Sequence, residues 1–258
     1  MDCKKALTEA DGDFEKAKEF LRKQGQKIAD KRADNTTAEG VVLAHVSNDG
    51  KTGKIIALAC ETEPVSKVPD FQNLAMTLMS EAVAGDLIGK EQLLATTQAD
   101  GRTLQDHVTD LMGKIGEKID VASFETVAAD KVVSYIHSNG KLGVLVGLSN
   151  TNGTDVTEVG KDVAMQIAAM KPVALDKDGV DATIVQREIE IGKEQARQEG
   201  KPEAMLEKIA LGKLNKFYKD NTLLNQEFVK DSSLTIRQLL DKTSNGLTVS
   251  AFKRVSIG

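Results

Sequence analysis

The sequence predicts an α+β fold, and two repeated features support this prediction. Residues 41–60 and 132–148 each alternate in the manner of a β-hairpin, with an Asp-Gly or Asn-Gly turn in the middle. Each hairpin is followed by a helix-like segment with similar residues, NLAM at 73–76 and DVAM at 162–165. Both matches recur about 90 residues apart. The repeat indicates a duplicated hairpin-plus-helix unit, with helices on one face of each sheet.

The composition excludes several classes of protein. The chain has 258 residues, of which 40% are apolar and 28% are charged, and this balance is typical of a folded globular protein. No segment approaches the roughly 18–20 apolar residues that a membrane span needs, and the polar start shows no secretion signal. We therefore expect a cytoplasmic protein without a membrane partner. The net charge of −5 and the 3% of aromatic residues argue against direct nucleic-acid binding.

The residues that usually perform catalysis are sparse. Three histidines and two cysteines, Cys3 and Cys60, show no spacing typical of a zinc site. No G-x-S-x-G motif marks a nucleophile. The sequence therefore predicts no catalytic residue, no metal ion and no cofactor, and it favours a protein that acts by contact. A small metabolic enzyme remains the alternative from another functional class.

The N-terminal part and the segment between the repeats each predict short helices. Residues 3–24 are expected to form two helices around Asp11-Gly12, and Gly25 is predicted to end the second one. Residues 26–39 are typical of a solvated linker. Residues 91–95 and 107–112 predict helices, and residues 121–124 predict an edge strand.

The C-terminal third predicts a long helical hairpin inserted into the second repeat. Residues 181–219 have helical patterning, and Gly200-Lys201-Pro202 forms the turn. The expected antiparallel coiled-coil seam of the second helix consists of Met205, Leu206, Ile209, Leu214 and Phe217. We divide the chain into a helical module with its linker (1–34), unit N (35–131), unit C (132–180 and 221–258) and the coiled-coil hairpin (181–220).

Several segments, in family order, resemble translation elongation factor Ts. The segment MDCKKALTEADGD at 1–13 is the most specific one. Shorter matches are CET at 60–62, KIGE at 114–117, AMQIAA at 164–169 and LLNQ at 223–226. The expected architecture is also similar: a ubiquitin-associated-like module, a two-part core and an inserted coiled coil. From the resemblance we expect that this sequence does not include the first helix of the family's module or the C-terminal helix of some members.

The resemblance implies a guanine-nucleotide exchange factor for elongation factor Tu. Such a factor binds its partner in the GDP-bound and nucleotide-free forms, and it releases GDP by disturbing the magnesium and phosphate site. The alternative is a degenerate member that binds the partner, or the ribosome through its coiled coil, with little or no exchange. A ribosome contact through the hairpin is left open in either case.

The resemblance also assigns the residues of the site. The family's magnesium-dislocating loop, which reads Thr-Asp-Phe-Val, corresponds here to Thr62, Glu63, Pro64 and Val65. Contacts with the partner are assigned to Met1, Asp2, Cys3, Lys4, Lys31, Cys60, Ala164, Met165 and Ile167. The alternative for Cys3 and Met165 is a buried structural role. The alternative for Lys31 and Arg32 is that they belong to a solvated linker without a partner contact. Because Pro64 replaces an aromatic wedge, we expect binding to persist and exchange to be weaker than in the family.

Overall fold

A computed structural model describes residues 2–258, and for Asp2 it describes the backbone only. The helices of this part are α1 (Asp2–Glu9), α2 (Phe14–Lys31), α3 (Glu63–Ser66), α4 (Pro69–Ala84), α5 (Lys90–Ala95), α6 (Leu104–Ile115), α7 (Thr157–Met170), α8 (Ala182–Gln198), α9 (Glu203–Asn221) and α10 (Ile236–Thr243). The strands are β1 (Glu39–Val46), β2 (Thr52–Cys60), β3 (Ile119–Ala128), β4 (Lys131–Ile136), β5 (Leu142–Ser149), β6 (Glu227–Phe228), β7 (Asp231–Thr235) and β8 (Thr248–Ser256). The mixture of helix and sheet confirms the predicted α+β class.

The two main sheets have the same construction. Their strand orders are β1-β2-β3 and β4-β5-β8, and all neighbouring strands are antiparallel. The first hairpin closes with Val46 opposite Gly53, and the second closes with Ile136 opposite Gly143. In each sheet the register shifts once, between positions 57 and 58 or between positions 147 and 148. These features are 90 residues apart, like the repeats in the sequence.

The sheets pack face to face, and helices cover their outer faces. Every residue of β2 after Thr52 is buried, because one face of the strand meets the helices and the other meets the second sheet. An apolar cluster that includes Val42, Ile55 and Leu145 lies between the sheets. A second cluster joins the first sheet to α4, α5 and α6, and a third joins the other sheet to α7 and α10.

The prediction that Gly25 ends a helix is wrong, because α2 continues to Lys31. The first part of the predicted solvated linker is therefore helical. Gly25 is buried where α2 crosses α6, and a Cβ on Gly113 of α6 would lie 2.7 Å from the Gly25 Cα. This glycine allows two helix backbones to approach closely, and the crossing attaches the N-terminal helices to unit N.

The coiled-coil seam differs from the prediction at one residue. Leu206 and Leu214 are buried as expected, whereas Met205 is 48% exposed. The closest contact of α8 and α9 is made by small residues: a Cβ on Gly192 would lie 3.0 Å from the Ala210 Cα. Small side chains let the two helices approach more closely than a seam of large residues would. Within residues 2–258, no helix has the length and apolarity required to cross a membrane.

Candidate functional site

The predicted loop consists of Thr62 and the first three residues of α3, and only Glu61 separates it from strand β2. Thr62 has extended backbone and precedes the helix, and Pro64 lies in its first turn, where a proline removes no helical hydrogen bond. Thr62, Glu63 and Pro64 are exposed. Val65 is buried in the core of unit N, so one apolar side chain anchors an otherwise accessible turn.

Hydrogen bonds hold this turn in one conformation. The backbone N–H and the Oγ1 of Thr62 donate to the two carboxylate oxygens of Glu117, at 3.1 and 2.8 Å. The Oγ of Ser66 donates to the Glu63 carbonyl at 2.7 Å. Lys67 Nζ donates to Glu63 Oε1 at 2.6 Å and lowers the pKa of that exposed carboxyl. The loop therefore presents one exposed carboxylate, paired with Lys67, beside one proline ring.

The neighbouring Glu61 binds three residues from two separate segments. Arg32 Nη1 donates to both carboxylate oxygens at 2.8 Å, and Asn35 Nδ2 donates at 3.0 Å. The backbone N–H of Lys118 donates to Glu61 Oε1 at 2.6 Å. Burial acts to raise the pKa of Glu61, but the hydrogen bonds from Lys118, Arg32 and Asn35 outweigh it and lower the pKa.

Cys60 lies below the loop and is fully buried, so its side chain offers no surface to a partner. Its Sγ donates to the Thr62 carbonyl at 3.3 Å. Burial, together with the nearby carboxylates of Glu117 and Glu39, raises the pKa of the thiol to about 12. Cys60 is therefore a neutral core residue that supports the loop.

The N-terminal contact residues are only partly described. Met1 lies outside the described residues, and so does the side chain of Asp2. Cys3 and Lys4 are exposed on α1, so the alternative of a buried Cys3 is wrong. Lys31 is exposed at the end of α2, whereas Arg32 is bound to Glu61.

The three contacts predicted on α7 have different environments. Ala164 and Ile167 have no exposed surface and belong to the core of unit C. The expectation that their side chains face a partner is thus incorrect for this conformation, because they pack against the sheet. Met165 is half-buried and is the accessible member of the set.

Known proteins are similar to this chain over its whole length. The family model described as "Elongation factor TS" matches residues 61–258. The chain is a member of the elongation factor Ts family. The elongation factor Ts of Cytophaga hutchinsonii is 66% identical over 257 residues, which are 100% of this chain and 92% of that protein. The elongation factors Ts of Amoebophilus asiaticus and Christiangramia forsetii are 54% and 46% identical, and this chain covers 93% of each.

The sequence patterns indicate no role for the two buried glutamines of this elongation factor Ts family member, Gln166 and Gln226. Gln166 Nε2 donates to Gln226 Oε1 and to the Glu227 carbonyl, both at 3.1 Å. The backbone N–H of Val229 donates to Gln166 Oε1 at 2.9 Å. The amide of Gln166 thus holds the segment after the coiled coil against α7. The signal in the sequence that could have indicated this role is a polar residue between Met165 and Ile167, on a helix with an apolar inner face.

Glu61 and Glu117 were also assigned no role. They lie 56 positions apart, and only the pairing of Cys60 with Ile119 in the β2–β3 ladder brings them together. Among residues 2–258, no group of three or more His, Cys, Asp or Glu side chains could hold a metal ion.

Proposed function

We propose that this chain is a guanine-nucleotide exchange factor for elongation factor Tu. It binds the GDP-bound partner, disturbs the magnesium and phosphate site and releases GDP. The nucleotide-free complex then accepts a new nucleotide. No covalent step is required, so the protein acts by differential binding and is not an enzyme in the usual sense.

The observation that carries this proposal is the fixed, exposed turn of Thr62, Glu63 and Pro64 in a member of the elongation factor Ts family. A turn that acts on another protein's ion site must be accessible and must already hold its shape. A mobile turn would lose free energy in ordering when it binds. The hydrogen bonds of Thr62 and Ser66 meet this requirement.

The chemistry of the magnesium ion makes such a contact effective. Mg²⁺ demands near-octahedral ligands at about 2.0–2.1 Å, so a small displacement of the partner's backbone weakens the bound nucleotide. The coupling is reciprocal: the factor weakens GDP by the same ratio by which GDP weakens the factor. A shift of about 10⁴-fold needs about 5.5 kcal/mol of differential binding, which requires several contacts. Cys3, Lys4 and Met165 supply accessible candidates outside the loop.

Pro64 sets the expected strength of exchange. An aromatic side chain at this position would bury about 150–250 Å² in a partner, and a proline ring buries less. Glu63 keeps the negative charge of the family's aspartate, but it is paired with Lys67. We therefore expect normal binding together with slower GDP release than an aromatic loop would give.

The experiment measures release of a fluorescent GDP analogue from the elongation factor Tu of the same organism, at increasing concentrations of this chain. We expect saturable acceleration. The double variant Glu63→Asp with Pro64→Phe should raise the maximal release rate. The matched control Lys230→Gln removes an exposed ion pair with Asp162 in unit C and should leave the rate unchanged.

Two outcomes would contradict the proposal in different ways. Binding without any acceleration would reject exchange and support the alternative of a family member that only binds. Absence of binding by the full chain would reject elongation factor Tu as the partner. An unchanged rate in the double variant would reject only the role assigned to Pro64.

A ribosome contact through the coiled-coil hairpin remains a separate proposal. The segments that flank the hairpin are bonded to each other: the Leu223 N–H donates to the Ala174 carbonyl, and the Val173 N–H donates to the Asn221 carbonyl, both at 2.9 Å. Replacement of residues 181–220 by a linker of about six Gly and Ser residues should therefore leave the core folded. Co-sedimentation with ribosomes that is unaffected by this deletion would exclude the hairpin as the contact.

A further inference from the structure

The ends of β2 and β3 hold each other through two glutamates. Glu61 follows β2 and accepts the backbone N–H of Lys118 at 2.6 Å, just before β3 begins. Glu117 accepts the backbone N–H of Thr62 at 3.1 Å, just after β2 ends. The two bonds run in opposite directions between the same two segments. We name this arrangement the glutamate clamp, defined by the carboxylates of Glu61 and Glu117 and the backbone N–H groups of Thr62 and Lys118.

The glutamate clamp extends the β2–β3 ladder beyond its last pair, Cys60 opposite Ile119. Beyond that pair no backbone ladder bond fixes the chain, and the loop direction depends on these side chains. Hydrogen bonds to a carboxylate are roughly twice as strong as those between neutral groups. The side chain of Glu61 is only 16% exposed, so water competes little for its oxygens.

The glutamate clamp also holds the connection to the N-terminal helices. Glu61 binds the side chains of Arg32 and Asn35, which lie just beyond α2. Lys118 Nζ donates to the carbonyls of Ala33 and Asn35, at 2.5 and 2.9 Å. One pair of neighbouring residues, 117 and 118, thus contacts both the loop and the linker.

We propose that Glu61 and Glu117 are positioning residues for nucleotide exchange, Glu117 for the loop 62–65 and Glu61 for the N-terminal helices. This inference rests on the proposed function, because it assigns different steps of exchange to the two glutamates. Glu117 fixes the turn that acts on the partner's ion site, so it affects the maximal release rate. Glu61 fixes the linker behind Cys3 and Lys4, so it affects the concentration of factor needed for half-maximal release.

The test is the GDP-release titration with Glu117→Gln and Glu61→Gln. We expect Glu117→Gln to lower the maximal rate about fivefold to tenfold at a nearly unchanged half-saturating concentration. We expect Glu61→Gln to raise the half-saturating concentration by a similar factor at a nearly unchanged maximal rate. Loss of folded protein would also raise the apparent half-saturating concentration, so the folded fraction of each variant is measured by circular dichroism and the concentrations are corrected for it. Equal changes of both parameters in both variants would overturn the assignment.

Matched variants separate positioning from a general effect of removing a charge. Glu125→Gln makes the same chemical change in β3, where Glu125 pairs with Lys253 at 2.7 Å, and should match the unmodified chain. Thr62→Val removes the hydroxyl that Glu117 binds. The double variant Thr62→Val with Glu117→Gln should lose less than the product of the two single losses, because both act through one contact. Fully multiplicative losses would contradict the coupling of the Thr62 hydroxyl to Glu117 and its role in positioning the loop.

Amide hydrogen exchange on the free chain tests the geometry without a partner. Glu117→Gln should speed exchange of the Thr62 amide, and Glu61→Gln should speed exchange of the Lys118 amide and of residues 32–35. If the unmodified chain releases no GDP, the proposed function and the positioning roles fail together, while hydrogen exchange still decides whether the glutamate clamp exists. If GDP is released but neither amide responds to its variant, the glutamate clamp is rejected.

Discussion

Helices α4 and α7 occupy the same place in the two repeats, yet only one of them is covered. Met76 of α4 corresponds to Met165 of α7, and Thr77 corresponds to Gln166. Thr77 is exposed, and Met76 is 53% exposed. Gln166 is fully buried, because the segment 226–230 lies over α7 and bonds to its amide. The same scaffold is thus closed by its own chain in unit C and left open in unit N.

The outer face of the helix is therefore used differently in the two units. Unit C uses the outer face of its helix to fix the chain that returns from the coiled coil. Unit N leaves that face exposed, and the fixed turn of Thr62, Glu63 and Pro64 lies beside it, just before α4. A duplicated unit can therefore keep its core residues while one copy leaves the outer face of its helix open.

Substitution of Gln166 is expected to have the largest effect on stability. Gln166→Ala removes three hydrogen bonds, leaves the Val229 N–H without its acceptor and opens a cavity in a buried site. We expect a loss of about 2–4 kcal/mol in the free energy of unfolding. Urea unfolding measures it. The matched substitution Thr77→Ala on the uncovered helix should change stability by less than about 0.5 kcal/mol. Equal losses at the two positions would contradict the comparison.

The glycines at the sheet interface test how closely the two units match. A Cβ on Gly143 would lie 2.7 Å from Ile55 Cδ1 of the opposite sheet, and a Cβ on Gly53 would lie 2.7 Å from Val132 Cγ1. Gly143→Ala and Gly53→Ala should therefore each cost about 1–3 kcal/mol in urea unfolding. Gly212→Ala in α9 has open space around it and should stabilise the protein slightly. A large loss of stability from the substitution in only one of the two sheets would contradict the structural match between the two units.

The sequence predicted the α+β class because strands and helices leave periodic patterns of apolar residues. It failed where a residue's role depends on distant packing. Gly25 suggested a helix end from local chemistry, but it serves the crossing with α6. Ala164 and Ile167 were assigned to a partner by resemblance, although their counterparts Ala75 and Leu78 in the first repeat are also core residues. The roles of Glu61 and Glu117 required the β2–β3 register, which local patterns do not provide.

Thiol reactivity should show that the loop of unit N lies on a closed core. Cys3 is exposed, whereas Cys60 is buried and its pKa is raised to about 12 by burial and nearby carboxylates. An excess of a chromogenic disulfide at pH 8 should modify one thiol rapidly in the native chain and two after unfolding. Cys3→Ser should remove the rapid phase. Glu117→Gln should speed the slow modification of Cys60 in the native chain. Rapid modification of both thiols in the unmodified chain would instead show that the loop opens readily.

The acid dependence of stability should show the smallest effect. Hydrogen bonds from Lys118, Arg32 and Asn35 outweigh burial and lower the pKa of Glu61 below its ordinary value of 4.5. The folded state therefore binds the proton less readily than the unfolded chain does. The stabilising contribution of the Glu61 carboxylate is complete above pH 4.5 and disappears as the pH falls through the lowered pKa. Urea unfolding between pH 7 and pH 3 should show that the stability difference between the unmodified chain and Glu61→Gln shrinks on acidification. A difference that stays constant with pH would mean that the carboxylate charge adds nothing to the hold of Glu61 on the linker.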